Sequence, residues 1–406
     1  MADNKDKKIL NVPALRFPEF SGEWEKCVLT EIVERVTRRN KGNVCKLPLT
    51  ISAQYGLVDQ ITFFNKVIAS ADMSNYYLLT KGDFAYNKSY SSEYPWGAIK
   101  RLDRYKYGAL SSLYICFRPL SHVSSDFLMH YFETKKWHQG VSEIAVEGAR
   151  NHGLLNIGIQ DFFATSHYMP QELSEQKKIA AFLNLIEKRI SVQNKIIEDL
   201  KKLKSAIVEM ILCKQGGVLL KLGDVGSFIR GLTYSSEDIA EDINATTVIR
   251  ANNLNYGNNV SKKDVVYVNK KPTEIQILRK GDIVICMANG SSSLVGKNSY
   301  YSFDDRQSTI GAFCGIYRSS QPLVKWLMQS QRYRRLVYQS LQGGNGAIAN
   351  LNGDDILNMT FYVVEDKKSV SILSALVLIE NSIAVNEKLQ ELYSMQKEYL
   401  LQHLFI

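Results

Sequence analysis

A single stretch, Ser174–Leu212, limits what this chain can fold into: it runs 39 residues without a glycine or a proline. Apolar residues recur in it at Ile179, Leu183, Ile186, Ile190, Ile197, Leu200, Ile207 and Ile211, in steps of mostly three, four or seven. That spacing predicts an amphipathic helix with a coiled-coil-like seam. Pro170 lies just before it, Ser174 is placed to cap its first turn, and Gly216-Gly217 follow its end. At about 1.5 Å per residue the helix is a rod of roughly 58 Å. A rod of that length in mid-chain is no core helix of one compact domain, so the rest of the chain is expected to hang on its two ends.

The rod has a second copy, at a period near 195 residues. With an offset of 193, Ile186, Glu187, Ile190, Val192 and Lys195 meet Ile379, Glu380, Ile383, Val385 and Lys388. The seam continues through Leu376, Ile379, Ile383, Tyr393, Leu400 and Leu404 in Lys367–Phe405, and its polar break is shared, Gln193 matching Asn386. A polar seam residue either fixes register at some cost in stability or is a tolerated wet spot.

The intervening segments echo each other as well. Leu78–Ser92 resembles Ile277–Ser292, aligned on Lys81-Gly82-Asp83 and Lys280-Gly281-Asp282, and Ala109–Pro119 resembles Thr309–Ser319. Phe127–Trp137 matches Trp326–Leu336, placing Lys135-Lys136 against Arg334-Arg335. Val28–Val36 and Lys221–Ile229 open the two halves. The expected fold is therefore α+β: two similar αβ domains and two long antiparallel coiled-coil helices related by an internal pseudo-two-fold. Neither rod buries its seam alone, so rod packs on rod. The expected boundaries are a loose tail over 1–12, a first domain over 13–171, the central helix over 172–213, a second domain over 214–365 and the C-terminal helix over 366–406.

Within the first domain, Tyr77–Tyr86 reads as strand, turn, strand, Leu113–Phe117 as a strand, and Ser124–Gln139 as one helix. A loop rich in Gly, Arg, Asn and His spans 140–158, and its counterpart is Gln342–Asp355. Ile249–Asn259 is dense in amides, which suit base edges, and in glycine, which lets a backbone approach a phosphate.

Composition bounds the class. At 406 residues, with 45% hydrophobic and 22% charged residues, the chain reads as globular and multidomain. The polar start MADNKDKK lacks the apolar core of a signal peptide, and nowhere do 18 apolar residues run together, so the expected location is the cytoplasm, with no membrane partner. The six cysteines show no metal-ligand spacing, nor do the six histidines. A formal charge of +9 favours an anionic partner. There is no Asn-Pro-Pro-aromatic methyltransferase motif, no Walker-type phosphate loop, no dinucleotide fingerprint and no nuclease carboxylate set. The residues thus point to binding rather than catalysis.

The whole arrangement resembles the specificity subunit of type I restriction–modification enzymes. The resemblance rests on Leu15–Glu25 (LRFPEFSGEWE), on Leu29–Ile32 (LTEI), on the two KGD turns, and on Leu173–Ile190 (LSEQKKIAAFLNLIEKRI) opening the first rod. The second copy lacks the Ser-Glu-Gln lead-in and has Val363–Val370 (VVEDKKSV) in its place. The resemblance implies that each domain is a target-recognition domain reading half of a split double-stranded DNA site. The helices would set the gap and dock two modification (methyltransferase) subunits. S-adenosylmethionine, ATP and Mg²⁺ would be bound by those subunits and by separate restriction subunits, leaving this chain with no cofactor, metal or active site of its own. Two readings from other classes stand beside it: a self-sufficient DNA-modifying or DNA-cleaving enzyme, and a coiled-coil scaffold that touches no nucleic acid.

The residues expected to meet DNA in the first domain are Lys88, Ser89, Tyr90 and Ser91 after the first KGD turn, with Arg150, Asn151 and His152, and Arg38, Arg39 and Lys41. Those in the second are Asn289, Ser291, Ser292 and Asn345, with Arg230, Arg250 and Asn252. Lys135, Lys136, Arg332, Arg334 and Arg335 are candidates for phosphates, which position without specifying. The competing reading of each is an ordinary solvated loop or helix face.

Overall fold

The computed structural model describes residues 11–91, 93–145, 154–212, 217–341, 349–364 and 366–406. The chain divides into two units, Met1–Gln193 with Leu389–Ile406, and Asn194–Lys388. The two long helices are Leu173–Glu209 and Asp366–His403, and each gives one segment to either unit.

The first unit is built on two four-stranded sheets. One has the order Val33–Arg35, Ile115–Pro119, Phe84–Asn87, Ala98–Arg101, all antiparallel. The other runs Gly56–Asp59, Pro48–Ser52, Tyr107–Leu110, Tyr77–Thr80, with a parallel pair at its centre. Its larger core is aromatic: Phe84 stacks on Phe117 at 5.5 Å and Tyr86 on Phe162 at 4.8 Å, with Trp24, Phe127, Tyr131 and Trp137 buried around them. Burial of each such ring contributes about 1.5–3 kcal/mol. Ile179, Leu183 and Ile186 of the central helix, Leu400 of the C-terminal helix and Leu404 and Phe405 just past its end complete the same cluster.

The KGD turn does not close a hairpin. Tyr77–Thr80 and Phe84–Asn87 belong to different sheets, and Lys81-Gly82-Asp83 is the corner between them. Gly82 has φ +94°, a value that L side chains rarely adopt. Asp83, 2% exposed, accepts from the Thr80 backbone N–H at 2.8 Å and pairs with Arg118 at 2.9 Å. The second unit repeats this: Gly281 has φ +104°, and Asp282, also 2% exposed, accepts from the Arg279 N–H at 2.8 Å and from Arg318 Nη2 at 2.7 Å. The motif is repeated because it is structural.

Three further expectations are corrected. The helix expected over Ser124–Gln139 is two, Ser125–Tyr131 and His138–Ile144. Ser124 accepts from the Phe127 N–H as N-cap, and Thr134 Oγ1 donates to the Tyr131 carbonyl where the first helix ends. The strand read at Leu113–Phe117 begins at Ile115, which leaves Leu113 in the preceding turn. Ser174 does not cap the central helix, which starts at Leu173; its hydroxyl donates to the Glu172 carboxylate.

The second unit has the same ground plan. One sheet runs Gly226–Arg230, Cys314–Ser319, Ile283–Cys286, Asn298–Tyr300. The other runs Ile239–Ala240, Val266–Val268, Thr246–Ile249, Ser308–Ile310, again with one parallel pair. Val208 and Leu376 from the long helices, with Ile211 just past the end of the central helix at Glu209, short of the expected Leu212, join the core around Tyr317, Trp326, Leu327 and Tyr333. The residues that precede its KGD corner form no strand, although Leu278 N–H still reaches the Ser308 carbonyl.

Seam positions are buried or half-buried: Ile190, Ile197, Leu200, Ile207, Ile379, Ile383 and Tyr393 as well as those already named. In the first unit Lys397 binds Glu187 at 2.6 Å and Arg189 faces the Tyr393 ring at 5.9 Å. In the second, Lys204 binds Glu380 at 3.3 Å and Lys201 binds Glu387 at 2.6 Å. In each unit, rising numbers on one helix meet falling numbers on the other. Over Ser369–His403 the C-terminal helix is long and apolar enough to cross a membrane by length and composition. Leu376, Ile383, Leu400 and Leu404 are buried in protein, while Val370, Leu378, Val385, Leu392 and Met395 are exposed.

Candidate nucleic-acid interface

In the second unit the segment after the KGD corner, Ala288–Asn289, pairs with Ala349–Asn350, a short strand within the stretch Gln342–Asp355 that was expected to be loop throughout. Beside this pair lies an open cavity of about 680 Å³ lined by Tyr234, Arg250, Asn252, Asn289 and Phe313, with Gly290, Gly311 and Ala312 keeping it wide. Close backbone packing shapes its wall: Leu232 bridges Gly311, and a Cβ on Gly231 would sit 2.1 Å from the Gly311 carbonyl oxygen. Three expected residues, Arg250, Asn252 and Asn289, meet here. Arg250 Nη2 donates to the Asp264 carbonyl at 3.3 Å, while its buried Nε–H finds no acceptor among the described residues. Ser291 and Ser292 are exposed just beyond, where the Ser291 N–H is held by Asn289 Oδ1. Arg230 is exposed at the end of its strand and does not line the cavity. Asn345 lies outside the described residues.

The first unit makes the equivalent junction. Ser89 bridges Leu154, and Lys88 Nζ donates to the Ile157 carbonyl at 3.4 Å, tying the post-corner segment to the last residues of the 140–158 loop. Tyr90 packs on the core, and Ser91 exchanges backbone hydrogen bonds with Tyr94. Arg150, Asn151 and His152 lie outside the described residues. Arg38 donates twice to the Leu78 carbonyl, and Arg39 stacks on Tyr77 at 4.3 Å. Both guanidiniums are thus partly committed to holding the sheet edge, whereas Lys41 is exposed.

The other basic candidates fall elsewhere, and Lys135 and Lys136, expected on a helix, lie in the turn between Ser125–Tyr131 and His138–Ile144. Lys135 and Lys136 join Lys26, Gln139 and Tyr168 around an open cavity of about 330 Å³. Arg332, Arg334 and Arg335 are exposed on Gln331–Leu341, a helix that buries Tyr333 and Val337. Arg334 lies over the Tyr256 ring at 4.7 Å, near Lys201 and Lys204. Sequence reasoning missed Phe313, Tyr234, Lys26 and Lys204. Phe313 was within reach, because the repeat aligns it with Leu113, and both are among the most exposed large apolar residues, at 71% and 74%.

One cluster has metal-ligand composition: His130, Glu133 and Glu187 bring ligand atoms within 4.8 Å of one another. Lys397 already occupies it, 2.8 Å from Glu133 and 2.6 Å from Glu187. An ammonium in that position neutralises the acids and repels a cation, so the donor set does not fit a metal.

No family model matches the chain. It is 28% identical over 164 residues to the EcoKI specificity subunit, a type I restriction enzyme subunit of Escherichia coli K12, and the match covers 39% of this chain and 35% of that one. The same identity and coverage hold for the StySPI specificity subunit of Salmonella potsdam. The fold is similar to the crystal structure of the type I restriction–modification S subunit of M. genitalium, with TM-score 0.58, 14% identity, and 97% and 99% of the two chains covered. Together these matches support the identification of the chain as a type I specificity subunit. The matched segment spans about a third of the curated relatives' length. A second solved chain, from a study of type I complex assembly and conformational transition, shares the fold at TM-score 0.54, with 13% identity and 93% and 96% coverage.

Proposed function

We propose that this chain is the non-catalytic DNA-recognition subunit of a cytoplasmic type I restriction–modification complex. Each unit reads one half of a bipartite site, and the long helices, as an antiparallel coiled-coil pair with internal pseudo-two-fold symmetry, set the gap. The exposed apolar residues of those helices, among them Leu185, Val192, Leu378 and Val385, dock two methyltransferase subunits. Those subunits bring S-adenosylmethionine to one adenine in each half, and restriction subunits bring ATP and Mg²⁺.

The observation that carries this reading is the repeated junction, with amides, an arginine and an open cavity at the second copy. Two readers on one frame suit such a task. A wrong base pair costs only about 1–3 kcal/mol, so one short half-site discriminates poorly and two combined discriminate well.

Mapping methylated adenines across the host genome, with and without this gene, tests the proposal. A split motif with a fixed gap is expected to vanish with the gene. Inserting one helical turn within Ser191–Lys204 is expected to lengthen the gap and leave both halves unchanged; a changed half with an unchanged gap refutes the spacer role. Methyl transfer or cleavage by the purified chain alone would favour the self-sufficient enzyme. Failure to bind duplex at low salt, even with the methyltransferase partner, would favour the scaffold.

A further inference from the structure

Phe313 is a phenylalanine that the fold holds in water. It stands 71% exposed in the turn between the strands Ser308–Ile310 and Cys314–Ser319. The turn is fixed: Cys314 N–H donates to the Gly311 carbonyl at 2.9 Å, and the Phe313 carbonyl accepts from Met287 N–H at 2.8 Å and Ala288 N–H at 3.3 Å. The backbone that presents the ring is therefore anchored to the segment carrying Asn289. The aligned turn of the first unit presents Leu113 in the same way, 74% exposed, with Tyr114 N–H donating to the Ser111 carbonyl. Two copies that have diverged at most positions both keep a large apolar side chain in solvent at this one.

The neighbours of Phe313 define what fits against it. Asn252 and Asn289 supply amides with donors and acceptors, and the buried Nε–H of Arg250 lacks an acceptor among the described residues. Gly290, Gly311 and Ala312 leave the floor open to a flat group. An apolar ring beside amides and a guanidinium matches the major-groove edge of a base pair that offers a methyl group and ring acceptors, as thymine paired with adenine does.

We infer that Phe313 is a specificity-determining residue of the second unit, with its ring packed on the 5-methyl group of a thymine in the half-site that unit reads. The inference rests on the DNA-recognition reading above and adds the residue and the base. A half-site that carries a methylatable adenine always holds at least one thymine, on the opposite strand.

The test uses the chain in complex with its methyltransferase partner and duplexes of the mapped site. Each thymine of the second unit's half-site is replaced in turn by deoxyuridine, which removes only the methyl group. For the unaltered chain one position is expected to weaken binding by about fourfold, the equivalent of one buried methyl. Phe313→Ala is expected to weaken binding by roughly tenfold and to abolish the penalty at that position. Deoxyuridine in the other half-site is expected to cost the same with or without the ring. The salt slope should not move, since no phosphate contact is lost. Phe313→Leu, matching the first unit, controls for folding and should retain most of the affinity. The inference is overturned if Phe313→Ala binds undiminished, or if its loss and the deoxyuridine loss add at every position. A chain that binds no duplex at all would instead bring down the DNA-recognition reading beneath it.

Discussion

Replacing Asp282 by alanine tests whether the KGD corner holds the second unit together. The Asp282 carboxylate takes three bonds: Arg318 Nε at 2.8 Å, Arg318 Nη2 at 2.7 Å and the Arg279 N–H at 2.8 Å. Removing one partner of a buried ion pair costs about 3–5 kcal/mol, because the other charge stays behind. Arg318 keeps the carbonyls of Ile277 at 2.8 Å and Ile275 at 3.2 Å, which places the cost near the low end, at about 3 kcal/mol. A domain stable by about 5–15 kcal/mol stays folded but opens about a hundredfold more often. Amide exchange followed by mass spectrometry on the intact chain reads this directly. Peptides covering Ile283–Cys286 and Cys314–Ser319 should exchange about a hundredfold faster, with Asp282→Asn in between. The mirror variant Asp83→Ala should act on Phe84–Asn87 and Ile115–Pro119 through Arg118. Exchange within threefold of the unaltered chain in the Asp282→Ala peptides would refute the structural assignment and return the motif to the surface.

The remaining predictions concern charge, backbone and DNA. Burial pushes the Glu133 pKa up, while His130 and the Lys397 ammonium pull it down further, to about 2 against an ordinary 4.5. With a depressed pKa, the stabilisation is complete above about pH 4.5 and is lost as the pH falls towards 2; after allowance for solvent it amounts to about 1 kcal/mol. Glu133→Gln should flatten that acid limb in a denaturant titration. Glu380 lies between Lys204 and Lys325, and Lys397 lies between Glu133 and Glu187. Glu380→Gln and Lys397→Met should therefore each cost about 2–3 kcal/mol, whereas Lys204→Met and Glu187→Gln should cost about 1 kcal/mol, because only the central residue leaves two like charges facing each other. Gly82→Ala should cost about 1–3 kcal/mol in thermal unfolding, all of it from the backbone at φ +94°, since the added methyl meets nothing within 4 Å. Lys135→Gln with Lys136→Gln should lower the salt slope of duplex binding by up to about 2 and leave the recognised sequence unchanged; an unaltered slope would assign both lysines to a solvated face.

What was legible in the sequence follows the range of the interaction involved. The helix seam is local and periodic, so burial of Leu183, Ile186, Ile197, Leu376 and Ile383 could be read from spacing alone. The burial of Lys204, which occupies the same helix, could not, because it depends on Glu380 and the Gly257 carbonyl far along the chain. The break after Tyr131 leaves no mark in propensity: there Thr134 Oγ1 donates to the Tyr131 carbonyl, a side-chain bond that no periodicity announces. Arg250 and Asn252 stand out by composition, and Asn289 by its place after the repeated KGD turn. Their shared cavity depends on a parallel strand pair, Thr246–Ile249 with Ser308–Ile310, that no local pattern announces.

The KGD corner shows why repetition within a chain needs a physical reading before it is assigned to function. Both the corner and the exposed turn after it recur in the two units, yet they recur for opposite reasons. At the corner the repeated groups point inward: a glycine with positive φ, and a carboxylate 2% exposed that binds an arginine and a backbone N–H, all of which any sequence read by this fold would need. At the turn the repeated property is an apolar side chain pointing outward, which costs solubility and contributes nothing to the core. Only the second kind of repetition has no account inside the fold, and on the DNA-recognition reading proposed above the difference between Leu113 and Phe313 is where the two units would read different bases.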